Sequence, residues 1–261
     1  MGPEWGNFMF SSLKSLLKES NKIKSREFCS AVIVAAGKGS RMQSSRNKQF
    51  INVIDRPVLA YTLQAFEDCK LIDEIIVVTR QEDIMLCKEI VDISALTKVK
   101  KIVVGGKERQ DSVYNGLKEI NSEATLVAVH DGARPLILPQ YIEATVKVAA
   151  QYHAAAIGVR VKDTIKLVDD DYNIVDTLDR SKLWAVQTPQ VFNVEILRKA
   201  YENAITKGIF ATDDCMLVEQ MGYTVKMVEG SYENIKITTP EDIFLAEAII
   251  GGKDLDEEDY E

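Results

Sequence analysis

The sequence of 261 residues is poor in the side chains of nucleophilic and multi-ligand metal chemistry. Its two histidines, His130 and His153, exclude a multi-histidine metal centre. Its four cysteines, Cys29, Cys69, Cys87 and Cys215, stand far apart and form no Cys-x-x-Cys pair. They read as buried free thiols of a reducing compartment, not as a disulfide frame or a zinc site. No apolar run approaches the roughly 18 residues of a membrane span, and residues 1–28 lack the apolar core of a signal peptide. Met1-Gly2 opens no myristoylation motif, because Gly6 stands where Ser or Thr is required. The expectation is a cytoplasmic protein without a membrane partner. Positive charge is in deficit, with 32 Lys and Arg against 40 Asp and Glu for a net charge of −8. That balance argues against nucleic acid as a partner, since a phosphate backbone needs a broad basic face. Internal repeats, low-complexity segments and Pro/Gly-rich linkers are also missing, so the chain is expected to form one large α/β domain.

Against this acidic background, the stretch Ala31 to Phe50, AVIVAAGKGSRMQSSRNKQF, gathers the cations Lys38, Arg41, Arg46 and Lys48. Ala31 to Ala36 reads as a buried strand of a parallel sheet. The turn with Gly37 and Gly39 then lets backbone N–H groups approach an anion, while Arg and Lys neutralise phosphate oxygens. A strand-end turn with solvated charges is the competing reading, because a bare Gly-x-Gly is a weak signal. A dinucleotide fingerprint fails at Met42, which replaces the third glycine, and a Walker A loop fails because Gly39 follows Lys38.

Residues 1–27 are expected to form a flexible N-terminal extension. Leu13, Leu16 and Leu17 beside Lys14 and Lys18 leave an amphipathic membrane contact as the alternative. Pro57 suits the first turn of a helix through Val58, Tyr61, Leu63 and Phe66. A strand at Ile75–Val78, a helix through Met85 and Ile90 and a strand at Ile102–Val104 follow, the alternation of a parallel sheet with right-handed crossovers. The third strand ends in Gly105-Gly106-Lys107-Glu108-Arg109-Gln110-Asp111-Ser112. This is either a cradle at the ligand-binding edge of an open α/β sheet or an ordinary turn with a Ser or Asp helix cap. Leu126–Val129 is a fourth strand, ending in His130-Asp131-Gly132-Ala133-Arg134-Pro135. Asp131 and Arg134 make either a simple ion pair or a divalent-cation ligand beside a phosphate ligand; the shared edge with the glycine loop favours the second. His130, directly after the apolar strand, reads as a structural residue.

A helix over 140–151 and a strand at Ala154–Val159 lead into a change of texture. Residues 163–168 and 174–178, joined by a turn at Asp169-Asp170-Asp171, read as a β-hairpin. Such an arm, about 161–183, has too little core to stand alone, and a second copy of the chain in a C2 dimer is the expected support. Arg180 lies just past the hairpin, within reach of a substrate site. Trp184–Gln190 returns to the domain, followed by a helix through Ile196, Leu197 and Tyr201, a helix capped by Thr or Asp at Ala211–Asp214, and a strand at Tyr223–Val228. Lys236 sits in an apolar stretch, Asn234–Thr238, read as a short strand; it either meets a phosphate or faces the surface. Pro240-Glu241-Asp242 starts the last helix, through Leu245 and Ile249. The domain is thus expected over 28–251, and the acidic tail over 252–261 is expected to be disordered.

The order of these motifs is specific. AAGKGSRM with NKQF, GGKERQDSV, HDGARP, KDTIK with LDR, QTPQ, and ATDD with ENIKIT and PED together resemble the 2-C-methyl-D-erythritol 4-phosphate cytidylyltransferase family of the non-mevalonate isoprenoid pathway, from about Cys29 to Ile250. The resemblance implies an α/β fold: a mostly parallel, Rossmann-like nucleotidyltransferase sheet with helices on both faces and a protruding β-arm. It implies transfer of CMP from CTP to methylerythritol 4-phosphate, with Mg²⁺ or a similar divalent cation. By resemblance, Ala35, Ala36, Gly37 and Gly39 surround the triphosphate, and Gly106 and Ser112 hold the cytosine. Arg41 and Lys48 form the catalytic pair, and Lys236 is a third cation. Asp131, Arg134, Thr164, Thr188 and Thr212 match the alcohol-phosphate site, with Asp131 also the metal ligand. Arg180 matches an arginine contributed by the partner subunit of a homodimer. Lys107 departs from the pattern, since some members carry there an acidic residue that contacts the ribose. The rival readings are a cytidylyltransferase for another polyol phosphate such as ribitol 5-phosphate, and a nucleotide-binding protein without turnover. A nicotinamide dehydrogenase is disfavoured by Met42 and by the lack of an evident acid–base histidine.

Overall fold

In the computed structural model the described residues are 27–37 and 47–258. The expected extension up to Arg26 and the loop positions Lys38, Gly39, Arg41 and Arg46 lie outside them. The apolar run after Glu27 becomes β1 (Cys29–Val34), all six residues of which are buried. A short ladder follows between β2 (Asn52–Val53) and β3 (Arg56–Pro57). β1 pairs in parallel with β4 (Glu74–Thr79) on one side and β6 (Leu126–Asp131) on the other, and β5 (Val99–Val104) continues in parallel beyond β4. On the other flank β7 (Ala154–Arg160) and β6 sandwich an antiparallel strand, β10 (Trp184–Asn193). β11 (Lys226–Glu229) closes that edge parallel to β7, giving a seven-stranded order β11-β7-β10-β6-β1-β4-β5.

Period-two alternation divides the buried strands between two cores. Ala31, Ile33, Ile75 and Val77 face α1 (Val58–Asp68), α2 (Ile84–Ile93) and α4 (Pro139–Tyr152). Val32, Val34, Ile76 and Val78 face α3 (Arg109–Glu119), α5 (Val194–Lys207) and α6 (Asp214–Gln220). Both faces are covered, which is why the parallel strands read as unbroken apolar runs. The chain builds β1, β4 and β5 outward, then α3 carries it back to β6 on the other flank of β1. This reversal makes the C-terminal ends of β1 and β6 the switch point where open α/β sheets bind ligands.

The expected elements differ from the observed ones in several places; β5 starts three residues before the expected Ile102, and β11 three residues after the expected Tyr223. β6 runs two residues further than Val129, so His130 and Asp131 belong to the strand. The cap of α3 is a capping box between Glu108 and Asp111, with Ser112 inside the helix. Residues 234–238 form no strand; the segment leaves the edge strand and crosses the end of β6 through one backbone bond, Ile237 N–H to Ala133 O at 2.8 Å. Ile237 is buried with Val53, Val58, Leu136 and Ala246, which pins the crossing. The last helix, α7 (Glu241–Glu258), continues past Gly252, where a disordered tail was expected. A glycine within a helix costs only about 1 kcal/mol, too little to end it. The arm exists as expected, with β8 (Lys166–Val168) paired antiparallel to β9 (Ile174–Thr177) and every residue of both exposed.

Two features of the core generate tests. A Cβ on Gly116 of α3 would stand 2.5 Å from Val32 Cγ1 and 2.8 Å from Val78 Cγ2, and both neighbours are stiff β-branched side chains. Overpacking costs about 1–3 kcal/mol against a helix-propensity gain of about 1 kcal/mol. Gly116→Ala is therefore expected to lower the urea midpoint, and a higher midpoint would show that α3 has room to move. His130 is buried against the Phe66 ring, 4.9 Å away, with Nδ1 unpartnered, and burial pulls its imidazole down to about 3 despite Asp131 beside it. Because the folded value lies below the ordinary 6.5, its stabilising contribution is full above that pH and is lost as the pH falls towards about 3. His130→Met is expected to flatten the decline in stability between about pH 6.5 and 5.5, above the range where most carboxylates titrate. An unchanged slope would assign the acid sensitivity elsewhere.

Candidate active site

At the switch point a cavity of about 510 Å³ opens over the ends of β1, β4, β5 and β6. Its lining includes the cations Lys48, Arg80, Lys107, Arg109 and Lys236 against the carboxylates Glu108 and Asp131. In a chain of net charge −8, this local excess of positive charge makes the cavity a site for an anion.

Each wall has a local cause. β1 ends in Ala35-Ala36-Gly37: Ala35 N–H goes to Val78 O at 2.7 Å, so Ala35 completes the sheet, while Ala36 and Gly37 line the cavity. The 3-10 turn Lys48–Phe50 is buried throughout. Lys48 Nζ donates to Ile237 O at 2.7 Å, tying this turn to the crossing segment. At the end of β5, Gly106 N–H donates to Ser112 Oγ at 3.0 Å, and Ser112 Oγ donates to Glu108 O at 3.0 Å. A Cβ on Gly106 would stand 2.1 Å from Asp111 Cβ, so only glycine lets this turn fold onto the start of α3.

Asp131, the last residue of β6, is the electrostatic centre. Arg109 Nε meets its Oδ1 at 3.0 Å and Lys236 Nζ its Oδ2 at 2.7 Å. Burial alone would raise the Asp131 carboxyl, but Arg109, then Lys236, outweigh it and hold the group far below the usual carboxylate range. Arg109 also reaches Asp214 Oδ2 through Nη1 at 2.9 Å, and Tyr201 donates its hydroxyl to the other Asp214 oxygen. Burial works against the Arg109 charge, yet Asp214 and Asp131 push the guanidinium above its ordinary value. Gln190 binds the same corner, accepting from the Asp214 and Cys215 N–H groups and donating to Asp213, the N-cap of α6.

The cavity thus brings together Ala36, Gly37, Lys48, Gly106, Ser112, Asp131 and Lys236 of the residues expected from the sequence. Gly39 and Arg41 lie outside the described residues. Thr188 is buried beneath the cavity, where its hydroxyl accepts from Asp131 N–H at 3.0 Å. Arg134 donates to Asn234 O at 2.7 Å and keeps Nε unpartnered; burial lowers its guanidinium from the ordinary value. Thr212 is exposed at the start of α6, and Thr164 is exposed on the arm. Arg180, exposed at the base of the arm, donates to Lys162 O at 2.9 Å. None of these last four residues lines the cavity of this single chain. Lys236 is not on a surface-facing strand but turned inward onto Asp131.

Arg109, Arg80 and Gln49 also line the cavity, and sequence reasoning assigned them no role. Arg109 had a usable signal: it is the first residue of α3, where a cation opposes the helix dipole and needs another reason to be there. As for a divalent cation, no group of three or more His, Cys, Asp or Glu side chains comes together among the described residues. The donor set therefore does not make a cage for a metal held by protein alone. It does fit a magnesium ion carried on a triphosphate, which takes one or two carboxylates and keeps its waters, with the ionised Asp131 as the carboxylate.

Comparison with known proteins agrees with this geometry. The family model for 2-C-methyl-D-erythritol 4-phosphate cytidylyltransferase matches residues 29–252. Among relatives, the enzyme of that name from Caldanaerobacter subterraneus subsp. tengcongensis is 51% identical over 222 residues, 85% of this chain and 98% of the relative. The one from Clostridium acetobutylicum is 50% identical over 221 residues, 84% and 96%. Among solved structures, 4-diphosphocytidyl-2C-methyl-D-erythritol synthase from Anaerococcus prevotii superposes with a TM-score of 0.79 at 36% identity, covering 86% of this chain and 96% of its own. The cytidylyltransferase from Thermus thermophilus gives 0.69 at 31% identity, covering 85% and 98%. Family model, relatives and fold agree over the same stretch, so the chain belongs to the 2-C-methyl-D-erythritol 4-phosphate cytidylyltransferase family and is a cytidylyltransferase.

Proposed function

We propose that this cavity transfers CMP from CTP to 2-C-methyl-D-erythritol 4-phosphate, giving 4-diphosphocytidyl-2-C-methyl-D-erythritol and pyrophosphate by in-line attack. The observation that carries the reading is the gathering of Lys48 and Lys236 with Gly37, Gly106 and Asp131 around one cavity at the switch point. Cytosine is assigned to the Gly106–Ser112 corner and the triphosphate to the Ala36–Gly37 strand end, with Gly39 and Arg41 of the loop that follows. The alcohol phosphate is assigned to the side of Asp131, Arg134, Thr188 and Thr212, with Thr164 as a further contact from the arm.

The chemistry needs alignment and charge, not a nucleophilic side chain. A phosphate oxygen of methylerythritol phosphate attacks the α-phosphorus of CTP; the new P–O bond forms as the bond to the bridging oxygen of the β-phosphate breaks. Pyrophosphate leaves with the electron pair. The attacking oxygen is already anionic, so no base and no covalent intermediate are required, in keeping with a His130 that is buried and neutral. Lys48, Lys236 and Arg41 counter the charge that grows on the α-phosphate and the leaving group. Arg109 holds Asp131 in place. A magnesium ion, held by Asp131 and the substrate phosphates, would supply further charge neutralisation.

The reading extends to a cytoplasmic homodimer joined through the arm. Leu167, Val168, Ile174 and Val175 leave 52%, 46%, 63% and 57% of their surface exposed there, apolar area that a second chain would cover. Arg180, at the arm's base, is the residue assigned to the partner's substrate site. The four cysteines are buried and none is in a disulfide, as suits a reducing compartment.

Pyrophosphate release is expected with CTP, Mg²⁺ and methylerythritol 4-phosphate, and not when ribitol 5-phosphate replaces the alcohol; release with ribitol 5-phosphate alone would reassign the acceptor. Lys48→Ala and Lys236→Ala are each expected to lower kcat by about 10²–10³, the cost of one well-placed donor of transition-state charge stabilisation. The urea midpoint of either variant serves as the folding control. Near-normal turnover by either would remove that lysine from the mechanism.

A further inference from the structure

We infer that Tyr201, which lies outside the cavity lining, is a positioning residue for the anion site: its hydroxyl keeps the Arg109 guanidinium divided between Asp214 and Asp131, and so keeps Asp131 neutralised where a triphosphate must lie. The inference rests on the assignment of this cavity to CTP and adds to it a residue that touches no substrate. An arginine facing a carboxylate commonly gives it two parallel N–H bonds. Arg109 instead serves two carboxylates with one bond each, Nη1 to Asp214 Oδ2 at 2.9 Å and Nε to Asp131 Oδ1 at 3.0 Å. Asp214 is the more deeply buried, with 1% of its side chain exposed against 10% for Asp131, so it has the greater need of donors for both oxygens. Tyr201 supplies the second donor through its hydroxyl on Asp214 Oδ1. Asp214 then takes a single N–H from Arg109, and Nε is left for Asp131.

The surroundings of Tyr201 fix that donor in place. The buried residues of α5 are Val194, Leu197, Ala200, Tyr201 and Ala204, so Tyr201 brings the one hydroxyl to an otherwise aliphatic face. Its ring stacks on Tyr114 with centroids 5.7 Å apart and planes 15° from parallel, which sets where the hydroxyl oxygen lies. Asp214 is the first residue of α6, and its backbone N–H donates to Gln190 Oε1 at 3.1 Å, so the carboxylate stands on a held backbone. A phenylalanine at position 201 would fill the same space and make the same stack. What it would lose is the donor: the buried Oδ1 of Asp214 would draw a second N–H from Arg109 as a two-pronged pair, and Asp131 would lose its guanidinium. Asp131 would then face the cavity with Lys236 alone of its two ion-pair partners. A triphosphate entering there would meet an anion less compensated than before.

Two substitutions in the full chain test this with opposite signs. Tyr201→Phe is expected to weaken CTP binding, measured by calorimetry without metal, about 3- to 10-fold, the range of one intramolecular hydrogen bond. Asp214→Asn removes the competing carboxylate, lets Arg109 turn wholly to Asp131, and is expected to bind CTP at least as tightly as the parent. Cytidine, followed as a competitor at millimolar concentration, carries no phosphate and is expected to bind both variants as it binds the parent. In an Asp131→Asn background, with no carboxylate left to neutralise, Tyr201→Phe is expected to change CTP affinity by less than about twofold. A merely structural role would move both variants in one direction, and cytidine with CTP. An unchanged CTP affinity in Tyr201→Phe overturns the inference, and so does a weakening shared by Asp214→Asn, by cytidine or by the Asp131→Asn pair. Should Tyr201→Phe show no folded state in urea titration, the sign of the Asp214→Asn change decides. A parent protein that binds no CTP overturns the assignment of the cavity, and the inference with it; a parent that binds CTP beside an indifferent Tyr201→Phe overturns this inference alone.

Discussion

The ion pairs of Asp131 are the constraint on which the site depends. The cavity holds Lys48, Arg80, Lys107, Arg109 and Lys236 close together before any ligand arrives, and like charges in a partly desolvated space repel. Asp131 is the internal counter-charge that relieves this. Its two oxygens take Arg109 from α3 and Lys236 from the crossing segment, so one carboxylate joins parts of the chain more than a hundred residues apart. Arg109 passes the constraint on to Asp214, and Asp214 to Tyr201, which is fully buried between α5 and the sheet. Breaking one member of such a buried network leaves a charge without compensation, an effect worth about 3–5 kcal/mol. Fold and site are therefore not separable at this corner.

Much of this was legible in the sequence, and the reasons are physical. β1, β4 and β6 announce themselves because strands buried on both faces are runs of apolar residues, and the glycines that follow β1, β5 and β6 mark close approach. Asp131 stood out as a charge directly after such a run. The antiparallel course of β10 was not legible: Gln187-Thr188-Pro189-Gln190 interrupts the pattern, a proline demotes a strand reading, and periodicity carries no direction. The β2–β3 ladder is two residues long on each side, too short for any pattern. Lys236 was found as a cation in an apolar stretch, but the same stretch suggested a strand, whereas Ile237 is buried to anchor a crossing. Gln49 lies in the NKQF stretch that carried the resemblance, but nothing there assigned it a role of its own. A neutral amide next to a lysine looks ordinary until the geometry shows that its oxygen has no partner among the described residues.

The site's cations fall into two kinds, and the difference bears on turnover. Arg109 is clamped between two carboxylates by a planar, bidentate head group that cannot lose its proton. It is part of the framework. Lys236 keeps 37% of its side chain exposed and holds Asp131 through one compact ammonium on a flexible stem. An ammonium can exchange one oxygen for another with little rearrangement. On the proposed reading, a triphosphate in the cavity would draw Lys236 from Asp131 to a phosphate oxygen, and Asp131 would be the carboxylate to hold a divalent cation there. The lysine would leave one anion for another, while Arg109 stays on Asp131. A guanidinium at position 236 would bind Asp131 more firmly and give up this exchange. The division between a fixed arginine and a mobile lysine follows from what the reaction demands, a cavity that is already polarised when substrate arrives and can still release pyrophosphate afterwards.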